Sequence, residues 1–333
     1  MNKLLSEQIK MMSVLCTFLV VWRHSTNMVA FYGVYEQVPL IVSQTEWTLS
    51  QFTNVAVPLF FMISGFFFFS KSYYQIRSYA AMLKKKGCTL FIPFLIWNVI
   101  GFGILLIAHE IVLPHSFFDF LYGILMSEYD GVLWFVRNLM IMMLLYPLYG
   151  WLFVINRWWL YIPILIGLII WWIPDDCSIY SSQGWFFFLS GGIIGNKCVN
   201  VLNHTILKEY VLLFLGIWIG MCLCFQYGGA FMAKATIILG IISVFAITNS
   251  LSKYEAVILL KISPYCFFIY VTHVFLIKAL KITAAQMFYQ DMIMALVAYF
   301  LLPLITFCVL LCIGWRWKRL APVSYNICVG GRG

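Results

Sequence analysis

Ten runs of this chain are apolar over roughly the length that crosses a bilayer: about 11–32, 52–70, 88–108, 132–153, 158–173, 184–201, 210–227, 231–249, 262–282 and 292–315. A helical span needs about 20 mainly apolar residues, because in hydrocarbon every backbone N–H and C=O must be satisfied within the segment. With 63% hydrophobic and only 10% charged residues over 333 positions, a soluble domain is excluded. The expectation is an all-α polytopic membrane protein, a bundle of about ten transmembrane helices forming a single domain over 1–333. The run 158–173 is short, and 184–201 contains Ser190, Gly191, Gly192 and Gly195, small residues that let helices approach closely. Runs 210–227 and 231–249 are separated by a Gln226-Tyr227-Gly228-Gly229 turn.

Charge orients the bundle. With the N-terminus inside, the 21 lysines and arginines fall in inner segments, except Arg23 and Arg137 within spans and Lys234, Lys278 and Lys281 outside. Most of the 12 acidic residues, from Glu36 and Glu46 to Asp291, fall in outer segments. Asymmetry of the basic residues sets orientation, so both termini are expected to be cytoplasmic. The net charge of +9 is therefore topogenic, and no nucleic-acid partner is implied. The 10 cysteines lie mostly in apolar runs without zinc-like or thioredoxin-like spacing, and with only Cys177 in an outer loop no structural disulfide is expected. Lys3 and Lys10 precede an apolar run too long for a signal peptide, which reads as a retained first span. The outer connection 109–131 carries Phe117, Phe118, Phe120, Leu121 and Leu125, which suit an amphipathic turn in the membrane interface.

The run 11–32 carries Arg23 and His24 inside an otherwise membrane-compatible segment. Ionisable groups at such depth are costly and mark a functional interior. Lys10, Ser13, Thr17, Val20, His24 and Asn27 recur every three or four residues and share one helical stripe. In the ninth run Ser263, Cys266, Tyr270 and His273 form a second such stripe. At 1.5 Å per residue His24 stands roughly 21 Å above Lys10, Arg137 about 8 Å below the outer boundary, and His273 nearer the middle. A neutral imidazole suits a general base that removes a hydroxyl proton. A buried guanidinium stays charged and suits developing oxyanion charge. Each residue also has a structural reading: a single interhelical hydrogen bond for His24 or His273, a helix lock for Arg137, and an interfacial snorkel for Arg23. His109, His115 and His204 lie at span ends or in loops and are given no catalytic role. Lys84, Lys85 and Lys86 form a basic run on the inner side, either a topogenic or lipid-contacting cluster or a seat for the phosphates of an anionic cofactor. No phosphate-binding loop, dinucleotide fingerprint, HExxH or GxSxG sequence is present, and no metal is called for.

Several blocks together resemble the acyltransferase-3 family of integral-membrane acyltransferases, over nearly the whole chain. The VVWRHS that carries His24 resembles that family's first helix with its catalytic histidine. FFMISGFFFF at 60–69, KKKGCTLFIPFLIWN at 84–98, LWFVRNL at 133–139, FFFLSGGIIG at 186–195 and SPYCFFIYVTHVFL at 263–276 are similar to later blocks in the same order. Three positions depart from the pattern: Ser13 stands where many members have an arginine eleven residues before the histidine. Thr89 fills the later of two basic positions, and Leu139 replaces a glutamate of some branches.

The resemblance implies a multi-pass protein of the bacterial plasma (inner) membrane that moves an acyl group, often acetyl, from cytosolic acyl-CoA. The acceptor it implies is a hydroxyl of a glycan or glycolipid on the outer side. His24 would activate the acceptor, Lys84, Lys85 and Lys86 would meet CoA phosphates, and membrane lipids would surround the bundle. It specifies neither the acceptor, nor the acyl chain length, nor an oligomeric state. A transporter or flippase of a small polar or lipid-linked substrate would use the same polar interior without bond chemistry, and a non-catalytic membrane subunit or sensor is the third class.

Overall fold

The computed structural model describes residues 3–70, 75–174, 181–197, 209–224 and 228–332. Every regular element among them is helical. The first half comprises α1 (Lys3–Arg23), α2 (Met28–Tyr32), α3 (Leu40–Thr53), α4 (Ala56–Phe69), α5 (Ile76–Lys86), α6 (Ile92–Ile107), α7 (Phe117–Met126) and α8 (Trp134–Leu144). Then follow α9 (Tyr146–Tyr149), α10 (Trp151–Ile155), α11 (Trp158–Trp172), α12 (Ser182–Lys197), α13 (Val211–Cys224) and α14 (Gly229–Ser250). The chain closes with α15 (Lys253–Ile262), α16 (Cys266–Met287), α17 (Met292–Leu320) and α18 (Pro322–Cys328). Six continuous or nearly continuous helical stretches are long and apolar enough to cross a membrane: Lys3–Tyr32, Leu40–Phe69, Ile76–Ile107, Gly229–Ser250, Lys253–Met287 and Met292–Leu320. Shorter apolar helices cover Phe117–Met126, Gly131–Leu144, Trp158–Trp172 and Val211–Cys224. The protein is a polytopic all-α membrane protein.

The chain divides into two compact units, Met1–Phe60 with Asn200–Gly314, and Phe61–Val199 with Trp315–Gly333. In the first unit α1 is the hub, packing against α3, α14, α15 and α16. Its buried face runs through Leu5, Ile9, Met12, Cys16 and Val20. Phe18 meets Phe307 of α17 edge-on at 5.7 Å, and Gln8 donates to Thr248 of α14 at 3.4 Å. α13 and α14 form a hairpin in which Gly240 lies directly against the indole of Trp218.

In the second unit α4 and α12 cross at backbone contact. A Cβ on Gly65 would sit 1.8 Å from the Phe188 carbonyl oxygen, and one on Gly191 would sit 1.9 Å from that of Met62. The glycines that interrupt the apolar run at 184–201 are therefore the contact surface of a helix. Aromatic rings fill the space around this crossing, with Phe69 stacked on Phe153 and Trp172 on Phe186. The single-turn π-helix Gly87–Phe91 joins α5 to α6, and the Trp97 indole donates to the Cys328 carbonyl at 2.9 Å, tying α18 to α6.

The helices differ from the expected spans in definite ways. The first run is broken: α1 stops at Arg23, where the Ser25 amide and hydroxyl both turn back to the Trp22 carbonyl, offering the backbone an alternative to the ladder. Most of the helix α3 lies in the stretch 33–51, expected as an outer loop; it is a mixed polar sequence whose buried positions Val42, Glu46, Ser50 and Thr53 share one face. The run 132–153 is three pieces, α8, α9 and α10, because Pro147 cannot donate to a continuing ladder and Gly150 is packed under the Tyr146 ring. The ninth run extends in both directions, with a 3-10 turn at Ser263–Tyr265 where Pro264 interrupts it. Its N-terminal half, α15, starts on a reciprocal capping box between Ser252 and Glu255. Part of the connection 109–131 is the helix α7, capped by the Ser116 hydroxyl at the Asp119 amide. Cys177, His204, Gln226 and Tyr227 lie outside the described residues.

Candidate active site at the break in the first span

The break after Arg23 lies within the first unit and is enclosed by α3, α16 and α17. His24 and Ser25 form a turn, Thr26 and Asn27 are unwound, and α2 restarts at Met28. Breaking a helix in a membrane frees backbone groups that only protein can satisfy. Glu46 of α3, 0% exposed, accepts the Asn27 amide at 2.9 Å through Oε2 and also bonds the Met28 amide. Lys281 of α16 donates from Nζ to the Thr26 carbonyl at 2.9 Å. Asn27 donates from Nδ2 to the Ala295 carbonyl of α17 at 2.9 Å. The Gln290 amide takes the Phe31 carbonyl at 3.0 Å, closing the outlet of α2.

His24 and His273 are brought together. Their ring centroids lie 5.0 Å apart with planes at 63°, an edge-to-face contact. His273 is 0% exposed, and its Nδ1 reaches the Tyr270 carbonyl at 2.7 Å and the Ile269 carbonyl at 3.2 Å. A carbonyl only accepts, so Nδ1 carries the proton and the neutral ring presents a lone pair at Nε2. That Nε2 has no protein partner, and neither have Glu46 Oε1, Asn27 Oδ1 and the Tyr32 hydroxyl, all buried in the same unit.

The two polar stripes read from the sequence meet in register. Thr17 of α1 bonds the thiol of Cys266, and seven residues further along each helix His24 meets His273. Two contacts with equal spacing on both helices mean that α1 and α16 run parallel. Higher up α1, the hydroxyls of Ser13 and Thr17 return to their own helix, at the Ile9 and Ser13 carbonyls.

The other candidates belong to the second unit. Arg137 on α8 donates from one terminal nitrogen to the Met126 carbonyl at the end of α7, while its buried Nε is without a partner. Lys84, Lys85 and Lys86 form the last turn of α5, with Lys84 and Lys85 exposed. Among the described residues no three His, Cys, Asp or Glu side chains converge as a metal site. The sequence alone puts Glu46 and Lys281 among the charges of outer segments. Glu46 instead lies buried on α3 and Lys281 half-buried on α16. The signal that marks Glu46 is the helical spacing of Val42, Glu46, Ser50 and Thr53.

A helical membrane protein with two imidazoles in contact at a helix break is a multi-pass protein organised around a buried polar centre. Its family is specific: a model describing an acyltransferase domain, that of the acyltransferase-3 family, matches residues 8–319. The chain belongs to this family and is a membrane acyltransferase. No curated protein and no solved structure matches it.

Proposed function

We propose that this protein is an O-acyltransferase that moves an acyl group, acetyl in the first instance, from cytosolic acyl-CoA to a hydroxyl of a glycan or glycolipid outside the cell. We place it in the bacterial plasma membrane with both termini in the cytosol. The observation that carries the reading is the contact between His24 and His273 at the break in the first span. His24 takes the proton of the acceptor hydroxyl as its oxygen bonds to the acyl carbon. The carbon–sulfur bond then breaks, and the same proton leaves with the sulfur as thiol, so His24 ends the cycle neutral. His273, locked with its proton on Nδ1, faces this exchange as an acceptor and orients the neighbouring ring.

The exposed ammonium groups of Lys84 and Lys85, with Lys86 beside them, fit the phosphates of CoA as charge-assisted donors. Arg137 retains an unpartnered Nε–H, the donor it would offer to developing oxyanion charge. The test is His24→Ala, expressed in a strain whose surface glycan is assayed for ester-linked acetate. Modification should cease while the protein reaches the membrane at its normal level. Full retained activity refutes His24 as the base.

A further inference from the structure

We propose that Glu46 and Lys281 are positioning residues for His24, a pair of oppositely charged struts that hold the unwound segment on which the base is presented. The inference rests on the reading of His24 as the base. Three observations carry it.

The first is where the two side chains act. A helix that ends leaves carbonyls without donors, and one that begins leaves amides without acceptors. Lys281 supplies the cationic donor at the Thr26 carbonyl, and Glu46 supplies the anionic acceptor at the Asn27 and Met28 amides. Each charge has the sign that its end of the break requires. The contacts fall two, three and four residues beyond His24, and α1 holds the backbone on the other side. His24 is thus fixed between a rigid helix and a segment held by three hydrogen bonds with these two side chains.

The second is that Lys281 and His273 share α16. They stand eight residues apart, about 12 Å along the helix. One rigid element therefore holds both the partner imidazole and the segment that carries His24. The distance between the two rings is set by α16 rather than by the unwound chain.

The third is that the pair is not a direct ion pair. Among the described residues no contact within 4.0 Å joins the Glu46 carboxylate to the Lys281 ammonium. Glu46 and Lys281 spend their hydrogen bonds on the backbone of the break, while Glu46 Oε1 stays buried without a partner. Two buried charges that only balanced one another would meet directly.

The test uses full-length protein in membrane vesicles supplied with radiolabelled acetyl-CoA, with thermal melting of the purified protein in parallel. Lys281→Met and Glu46→Leu should lower kcat at least about tenfold and leave KM for acetyl-CoA within about twofold, since the donor is held elsewhere. Lys281→Arg keeps a cationic donor and Glu46→Gln keeps an acceptor oxygen, so both should recover most of the lost kcat. Unchanged kcat in Lys281→Met overturns the proposal, as does a Glu46→Gln variant as impaired as Glu46→Leu. A loss shared equally by kcat, KM and melting temperature also overturns it, because a purely structural role would behave so. If Lys281→Met or Glu46→Leu fails to accumulate, the conservative variants decide: near wild-type kcat supports the proposal and a tenfold loss overturns it. His24→Ala run alongside separates the two readings. An active His24→Ala removes the base assignment, whereas an inactive one beside a fully active Lys281→Met removes only the struts.

Discussion

The imidazole of His273 stands edge-on to that of His24 at 5.0 Å, with its own Nδ1 proton committed to the Tyr270 carbonyl. The contact makes His273 a partner whose removal should affect the reaction rather than the fold of α16. His273→Ala is expected to lower acyl transfer about tenfold or more, since one lost orienting interaction of about 1.4 kcal/mol is tenfold in rate. His273→Gln, which cannot keep a ring edge against His24, should be equally impaired. Rates in membrane vesicles at saturating acetyl-CoA measure this, and wild-type turnover in both variants would show that the contact is only packing.

The lysine run on α5 separates a binding role from a topogenic one. Replacing Lys84, Lys85 and Lys86 by Gln should weaken acyl-CoA binding, because a charge-assisted hydrogen bond contributes on the order of 1.5–3 kcal/mol. Loss of even one such contact raises the dissociation constant at least about tenfold at low salt, and screening should shrink the difference as ionic strength rises. A reporter fused after Ser252 should still read cytoplasmic in the variant. Unchanged donor affinity in correctly inserted protein would return the cluster to a purely topogenic role.

The crossing of α4 and α12 tolerates no side chain at two positions. Gly65→Ala and Gly191→Ala would each drive a methyl group into a backbone carbonyl, at 1.8 and 1.9 Å, where no flexible side chain can yield. Overpacking of this kind costs about 1–3 kcal/mol. Each variant should melt at lower temperature in detergent than the parent protein. By contrast, Gly103→Ala, on α6 with open space at its Cβ, should melt like the parent.

Asp130, in the turn between α7 and α8, is 1% exposed, and burial pushes its carboxyl up to about 8 against a smaller opposing pull from the Val132 amide. The folded state thus prefers the protonated form more than the unfolded chain does. Its contribution to stability is fully present below the ordinary carboxylate range and is lost as pH rises through about 8. The melting temperature should fall between pH 5 and 9 in the parent protein, on the scale of that window. Asp130→Asn, neutral throughout, should flatten this slope and melt higher than the parent at the alkaline end. A slope unchanged by the substitution would mean that other groups govern it.

Much of this protein was legible along the chain. Apolar run length alone determined an all-α membrane protein, since a continuous apolar run of about 20 residues suits a helical span and a barrel strand needs only about half that. Helical spacing picked out the two polar stripes that the structure joins, through Thr17 with Cys266 and His24 with His273. The order of short blocks pointed to the family that the match over 8–319 establishes. Periodicity reports which residues share a face of one helix, and for those residues it was enough.

Only the tertiary structure decided that the first span is broken at His24, and that Glu46 and Lys281 hold the break. Neither follows from hydropathy, because the run 11–32 averages as one apolar span even though the polar His24, Ser25, Thr26 and Asn27 interrupt it. What ends the helix is the competing bond of Ser25 to Trp22 together with partners from α3 and α16. Glu46 looked like a loop charge because its neighbours are polar. It is buried because the amides of Asn27 and Met28 offer its carboxylate the partners that water would otherwise supply. Sequence carries each helix's own preferences, whereas the fate of a buried charge depends on groups that arrive from elsewhere in the chain.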